Sequence, residues 1–284
     1  MMDFFLDKNL ILESNCSFKD AEFAILGVPF DSTSSYRPGS RFGPLAIRKE
    51  LLELSKPESF FKKRIFDLGN VNVVHGNLRE TNRRVEETLQ QALRENPRVV
   101  PIILGGEHSV SYSSIKILHE RYKDLQVAHF DAHADLMDDY LGEKWSHATV
   151  MRRAKELSIP GSKLGDADSI KKAYDMGIDI VQFGVRVVDE SEKKLQKTLK
   201  KALDPGRKTY ISIDMDVLEP GLYPGVETPE PGGLTFQELL GLLKPIKNVV
   251  GFDIVETNPL FDKGDVTSVT AAKIMLELVL NSGK

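Results

Sequence analysis

The sequence predicts an α/β fold: a three-layer αβα arrangement in a single domain over residues 1–284, built on a mostly parallel sheet. Three observations predict it. Short apolar runs recur along the chain, segments with helical period lie between them, and no repeat, low-complexity tract or linker-like shift in composition interrupts the alternation. Strands that alternate with helices form βαβ units, and these give parallel sheets with helices on both faces.

The elements follow in order. The run 23–28 (FAILGV) is a strand, and Gly43 precedes a helical segment over 44–54. Residues 81–95, TNRRVEETLQQALRE, stack Val85, Leu89 and Leu93 four apart, the spacing of one helix face. A strand at 99–104 leads to a helix at 111–122, and a strand at 126–130 to a helix at 148–157. A strand at 178–183 is followed by a helix at 190–203, and then comes a strand at 209–213. Thr235 and Glu238 form a T-x-x-E capping box that opens another helix. A strand at 249–255 and a helix at 267–280 complete the series. Most of the strand runs do not alternate apolar with polar, which is how strands covered on both faces read.

Composition narrows the function classes. Lys plus Arg is 38 and Asp plus Glu is 42, a net charge of −4, so neither nucleic acid nor an anionic membrane is expected as a partner. A 41% hydrophobic and 28% charged composition suits a soluble globular protein and is too apolar for disorder. Cys16 is the one cysteine, which excludes an internal disulfide and a cysteine-built metal cluster. No stretch approaches 18 apolar residues, so no membrane span is expected. The N-terminal MMDFFLDKNLILES carries Asp3, Asp7 and Glu13 and lacks the basic region and cleavage site of a signal peptide, which makes the cytoplasm the expected location.

In an open parallel sheet, ligands bind outside the carboxyl ends of the strands. Those ends read LGGEH, HFDAHAD, FGVRVVD, SIDMD and DIVETNP. HFDAHAD places Asp131, His133 and Asp135 at alternate positions. If the chain stays extended there, two carboxylates and an imidazole share one face, a donor set for a divalent cation. SIDMD repeats the pattern with Asp214 and Asp216; alone, D-x-D serves equally well as a turn or helix cap. Four converging carboxylates repel one another, and about two divalent cations would neutralise them. LGGEHSV adds His108 after a Gly-Gly turn, with Glu107 expected to point elsewhere. His147, in WSHATV, is placed to act as a ligand, a proton shuttle or neither, and Glu256 ends the last strand. His75 and His119 show no partner pattern.

The motifs GGEHS, DAHAD, SIDMD and DIVETNP, in this order, resemble the arginase–agmatinase (ureohydrolase) family. GVPFDSTSSYRPGSRFGPLAIR and TPEPGGL resemble its opening block and a late loop, and the likeness runs from about Phe23 to Leu280. The resemblance implies a parallel sheet flanked by helices and a pair of Mn²⁺ ions. It implies that His108, Asp131 and Asp135 hold the first ion and His133 the second. Asp214 and Asp216 would join the site, with Asp131 and one of these two bridging. It further implies His147 as the proton-transferring histidine, Glu256 as the carboxylate that holds a guanidinium, and a homo-oligomer, commonly a trimer or hexamer. There are departures: Glu219 stands where the family usually has Asp, Val226 and Glu227 replace smaller residues at the expected substrate mouth, and Asn70 stands where Asp is common.

A pair of divalent ions supplies a water-derived nucleophile at neutral pH. Two ions, four aspartates, hydroxide and Glu256 sum to about −2, a charge suited to a cationic guanidino substrate. Hydrolysis would release urea and an amine. The segment LMDDYLGEKWSHA carries Asp138, Asp139 and Glu143 with Lys144 its only cation, and it is expected to favour an amine-ended substrate, agmatine, over arginine. Asp189 is the expected partner of the distal amine. Aminopropylagmatine, guanidinobutyrate, arginine and formimidoylglutamate suit the same metal centre. A one-zinc deacetylase is disfavoured by donors for two ions, and a non-catalytic metal binder by the presence of His147 and Glu256.

Overall fold

The computed structural model describes residues 5–7, 12, 14–157, 178–198 and 202–282. Its centre is an eight-stranded sheet made of β1 (Leu6–Asp7), β2 (Phe23–Val28), β3 (Ile65–Val71), β4 (Val100–Gly105), β5 (Gln126–Phe130), β6 (Asp179–Phe183), β7 (Thr209–Asp214) and β8 (Val249–Val255). The strand order is β1-β3-β2-β4-β8-β7-β5-β6, and every pair is parallel except β1 with β3. The helices are α1 (Gly43–Glu53), α2 (Glu58–Phe61), α3 (Leu78–Glu95), α4 (Ser111–Arg121), α5 (Val150–Glu156), α6 (Glu190–Thr198), α7 (Phe236–Leu243) and α8 (Val266–Asn281). Among the described residues no helix is long and apolar enough to cross a membrane.

The layering follows from the pleat. Successive side chains of a strand point to opposite faces, and both faces here are apolar. Phe23 and Ile25 of β2, with Ile102 and Leu104 of β4, pack in one core with Ile47 and Leu51 of α1, and with residues of α7 and α8. Ala24, Leu26 and Val28 join the opposite core with Val85 and Leu89 of α3, and with residues of α4 and α5. The Thr235–Glu238 capping box is formed reciprocally at the start of α7. Six expected strands stand within a residue of their expected bounds. The helix expected at 190–203 is described to Thr198; residues 199–201 lie outside the described residues.

Two strands were not expected. β1 is only two residues long. β3, IFDLGNV, carries Asp67 and Asn70 in its middle, and both are buried. Arg48 of α1 explains them. Its guanidinium pairs with both Asp67 oxygens, at 2.7 and 2.9 Å, and donates to Asn70 Oδ1 at 2.9 Å. A fully satisfied, bidentate ion pair lets a polar strand lie inside. Asn70 is therefore an acceptor for Arg48 that needs no charge of its own.

Candidate active site

Four neighbouring strands, β4, β8, β7 and β5, bring their carboxyl ends to one place in the middle of the sheet. After β4 the chain turns through Gly105–Gly106. A Cβ on Gly106 would meet the Phe30 carbonyl oxygen at 2.0 Å, so only glycine allows this approach. His108 follows, fully buried. Its Nδ1 lies 3.0 Å from Asp131 Oδ2, 3.2 Å from Asp135 Oδ2 and 3.2 Å from Asp214 Oδ2. Its Nε2 faces Ser212 Oγ at 2.9 Å, and that hydroxyl donates to Asp253 Oδ1 at 2.8 Å. A second group forms around His133, whose Nδ1 is 3.0 Å from Asp216 Oδ2 and 3.5 Å from Asp131 Oδ1. Asp131 thus turns one oxygen to each histidine.

The local geometry differs from a simple extended strand end. Asp135 is left-handed, at φ 53°, and its carbonyl accepts from Met151 N and Arg152 N at the start of α5. Asp214 ends β7 and is followed by a single 3₁₀ turn, Met215–Val217, with Asp214 Oδ1 accepting from Asp216 N at 2.8 Å. Turns, not strand alternation alone, bring these carboxylates together. Glu256 is also left-handed, at φ 60°. Such residues cost of order 1–3 kcal/mol each and collect at functional sites.

The charges support a cation site. Burial penalises every charge here. It works against the His108 imidazolium, yet Asp131 and Asp214 hold that ring well above the usual histidine range. The same contest pushes His133 up to about 12, through Asp131 and Asp216. Burial and then neighbouring carboxylates raise Asp135 and Asp214 well above the ordinary range. Among the described residues, these clustered carboxylates have no lysine or arginine within the cluster, which favours a positively charged partner. Divalent ions would satisfy the same oxygens and imidazoles, so the donor set fits a metal pair.

A cavity of about 240 Å³ opens onto these groups. His147 and Glu256 line it, as do Asp189, Glu192 and Glu227. Glu256 Oε1 accepts from His108 N at 2.7 Å, while its Oε2 is buried with no partner among the described residues. Burial, then Glu227 and Asp214, raise the Glu256 carboxyl well above its ordinary value. Burial lowers the His147 imidazole, partly offset by Glu227. Asp189 is exposed, and its Oδ1 caps α6 by accepting from Glu192 N at 2.8 Å. Glu192 answers by accepting from Asp189 N and from Leu136 N, both at 3.0 Å. His75 and His119 do not line the cavity. A larger cavity of about 740 Å³ reaches the amino-terminal residues of β5 and β7, Gln126 and Thr209; it lacks the clustered acids and imidazoles.

The loop after DAHAD requires a correction. Its acids do not line the cavity; Met137, Tyr140, His147 and Ala148 do. Arg152 and Arg153 draw Asp138 away, with Arg153 Nη2 at 3.0 Å and Arg152 Nε at 3.3 Å. Asp139 accepts from Gly142 N within its own turn, and Glu143 lines a different cavity. Among the departures, Glu219 accepts from the backbone N–H groups of Gly232 and Gly233 at 2.8 and 3.0 Å and shapes a loop. Val226 is buried in the core. Glu227 is buried as well, accepting from Ser35 N and Ser34 Oγ at 2.6 Å each.

Sequence reasoning missed His129. It is fully buried on β5, and its Nε2 lies 2.9 Å from Asp131 Oδ2. Burial lowers the pKa of the ring, with Asp131 opposing the shift. Gln182 Nε2 stands 3.3 Å from Nδ1 and can donate to it, so Nε2–H donates to Asp131. His129 thereby orients the shared carboxylate. Its position two residues before Asp131, on the same strand face, was the available signal.

The arginase family model matches residues 21–281. An agmatinase from Bacillus anthracis is 36% identical over 286 residues, covering 95% of each chain. An N(1)-aminopropylagmatine ureohydrolase from Thermococcus kodakarensis is 36% identical over 267 residues, covering 90% of this chain and 88% of that one. The crystal structure of an agmatine ureohydrolase of Thermoplasma volcanium superposes with a TM-score of 0.78 at 30% identity, covering 94% of this chain and 92% of that one. With the family's pattern running through the whole described sheet and its acid- and histidine-bearing strand ends, the chain belongs to the arginase family, whose members depend on a pair of metal ions, and it is a ureohydrolase.

Proposed function

We propose that the chain, acting as one domain, is a manganese-dependent agmatinase that hydrolyses agmatine to putrescine and urea. The observation that carries the substrate is the wall of the cavity. Apart from the residues assigned below to the metal pair, it presents four acids, Asp189, Glu192, Glu227 and Glu256, and, among the described residues, no lysine or arginine. An α-carboxylate would enter among like charges with no cationic partner there. A primary ammonium gains from the same field.

His108, Asp131, Asp135 and Asp214 would hold one ion. His133, Asp131 and Asp216 would hold the other. The chemistry such a pair supplies is a water made acidic enough to act as a nucleophile near neutral pH, together with charge stabilisation. The remaining roles belong to side chains. Glu256 Oε2, buried without a partner among the described residues, would accept from the substrate guanidinium in a charge-assisted hydrogen bond. That contact would hold the guanidinium in the cavity that the metal-pair residues line. His147, at the cavity wall, would give the departing amine its proton. Asp189, exposed at the rim with one oxygen engaged in capping α6, would meet the distal ammonium. The buried Glu192 already accepts two backbone N–H bonds and would act mainly through its field.

The test is urea release by Mn²⁺-loaded protein with agmatine and with arginine. Agmatine should exceed arginine by at least about a hundredfold in kcat/KM, roughly 2.7 kcal/mol of transition-state binding. Equal values, or a preference for arginine, would overturn the assignment of the acidic wall. Aminopropylagmatine belongs in the same assay, because a relative of equal identity is named for it. A preference for that substrate would keep the acidic wall and extend the tail.

A further inference from the structure

Both ring nitrogens of His147 face hydroxyl groups from one short segment. Thr33 Oγ1 lies 3.4 Å from Nδ1, and Ser35 Oγ lies 3.3 Å from Nε2. Thr33 Oγ1 also accepts from the His147 backbone N–H at 3.2 Å and donates to Glu107 Oε1 in a short hydrogen bond. Glu107 is fully buried. Its other partners are donors too: Thr33 N at 2.7 Å and Ser109 Oγ at 2.5 Å. A hydroxyl has one proton and two lone pairs. The Thr33 proton is committed to Glu107, and one lone pair to the His147 backbone. What remains for Nδ1 is a lone pair, and only a protonated Nδ1 complements it.

We infer that Thr33 and Glu107 are positioning residues that hold His147 in one tautomer, with the proton on Nδ1 and Nε2 left to exchange protons with the reacting groups. This rests on the reading of His147 as the proton donor. The arrangement suits that task because Nδ1–H is present in both the neutral ring and the imidazolium. Thr33 therefore accepts the same bond before and after transfer, and the ring need not turn over. Ser35 Oγ donates to Nε2 when it is bare and accepts from it when it is protonated. A second buried carboxylate, Glu227, holds the segment through Ser34 Oγ and Ser35 N. The tautomer of a histidine is set by the bond its other nitrogen makes, and here that bond is built from residues far apart in the chain.

The experiment compares Thr33→Val and Thr33→Ser in the Mn²⁺-loaded enzyme, each alone and in a His147→Asn background. Thr33→Val removes the hydroxyl at nearly constant shape. It should lower kcat about ten- to hundredfold, by analogy with the range for hydrogen-bond partners that orient metal-bound imidazoles. KM should stay within about twofold, with bound metal unchanged. Thr33→Ser should recover most of the turnover. In the His147→Asn background Thr33→Val should add little, because the two act as one unit. A Thr33→Val kcat within twofold of the parent, or its full loss repeated in the His147→Asn background, would overturn the inference. If His147→Asn alone leaves turnover intact, the failure belongs instead to the reading of His147 as proton donor.

Discussion

Asp131→Asn is expected to empty both metal positions together and to lower urea release by about four powers of ten, roughly 5.5 kcal/mol of barrier. Asp131 is fully buried, and its two oxygens face different histidines, His108 at 3.0 Å and His133 at 3.5 Å. Its ionised form is favoured despite burial, since His108, His129 and His133 all hydrogen-bond to it and pull its pKa well below the carboxylate range. Asparagine keeps the shape and one acceptor but has no charge, and it turns an amide N–H₂ toward a position meant for a cation. The carbonyl that remains can still accept from His129 or from the His133 backbone, so the fold should persist. Metal content by mass spectrometry and circular dichroism separate the two effects. A variant that keeps one ion would show that Asp131 serves a single metal.

Glu256→Gln should cost about three powers of ten in kcat/KM for agmatine, roughly 4 kcal/mol, with both ions still bound. Glu256 Oε1 already accepts from His108 N, and a glutamine carbonyl can continue to do so. The lost group is Oε2, the buried oxygen with no partner among the described residues. In glutamine that position becomes a donor facing a guanidinium made only of donors. A buried polar site discriminates strongly when its groups are left unpaired. Parallel measurement of urea release and bound metal checks the prediction. Activity within tenfold of the parent would place the guanidinium elsewhere in the cavity.

The clustered acids and imidazoles were legible in the sequence because the chemistry is concentrated at strand ends, in HFDAHAD, SIDMD and DIVETNP. The central strands were legible because both their faces are buried and their apolar runs are unbroken. β3 was hidden because Asp67 and Asn70 interrupt its apolar pattern, and their partner, Arg48, lies on a different element. The reading of the Met137–Glu143 loop failed for a related reason. Charge in a sequence carries no direction, and Arg153 turns Asp138 away from the cavity. Beyond the clustered aspartates, the acids that do line the wall are Asp189, Glu192, Glu227 and Glu256, spread over three separate segments. Glu107 binds Thr33 and Ser109 in the structure. Its bond to Thr33 depends on two loops meeting, which spacing along the chain does not reveal.

The shared two-ion centre is tested most directly by titrating metal-stripped protein with Mn²⁺ while bound metal and urea release from agmatine are read on the same samples. Urea release should reach its limit only as binding approaches two ions per chain. Full activity at one ion per chain or fewer would contradict the proposal that Asp131 is shared by two ions.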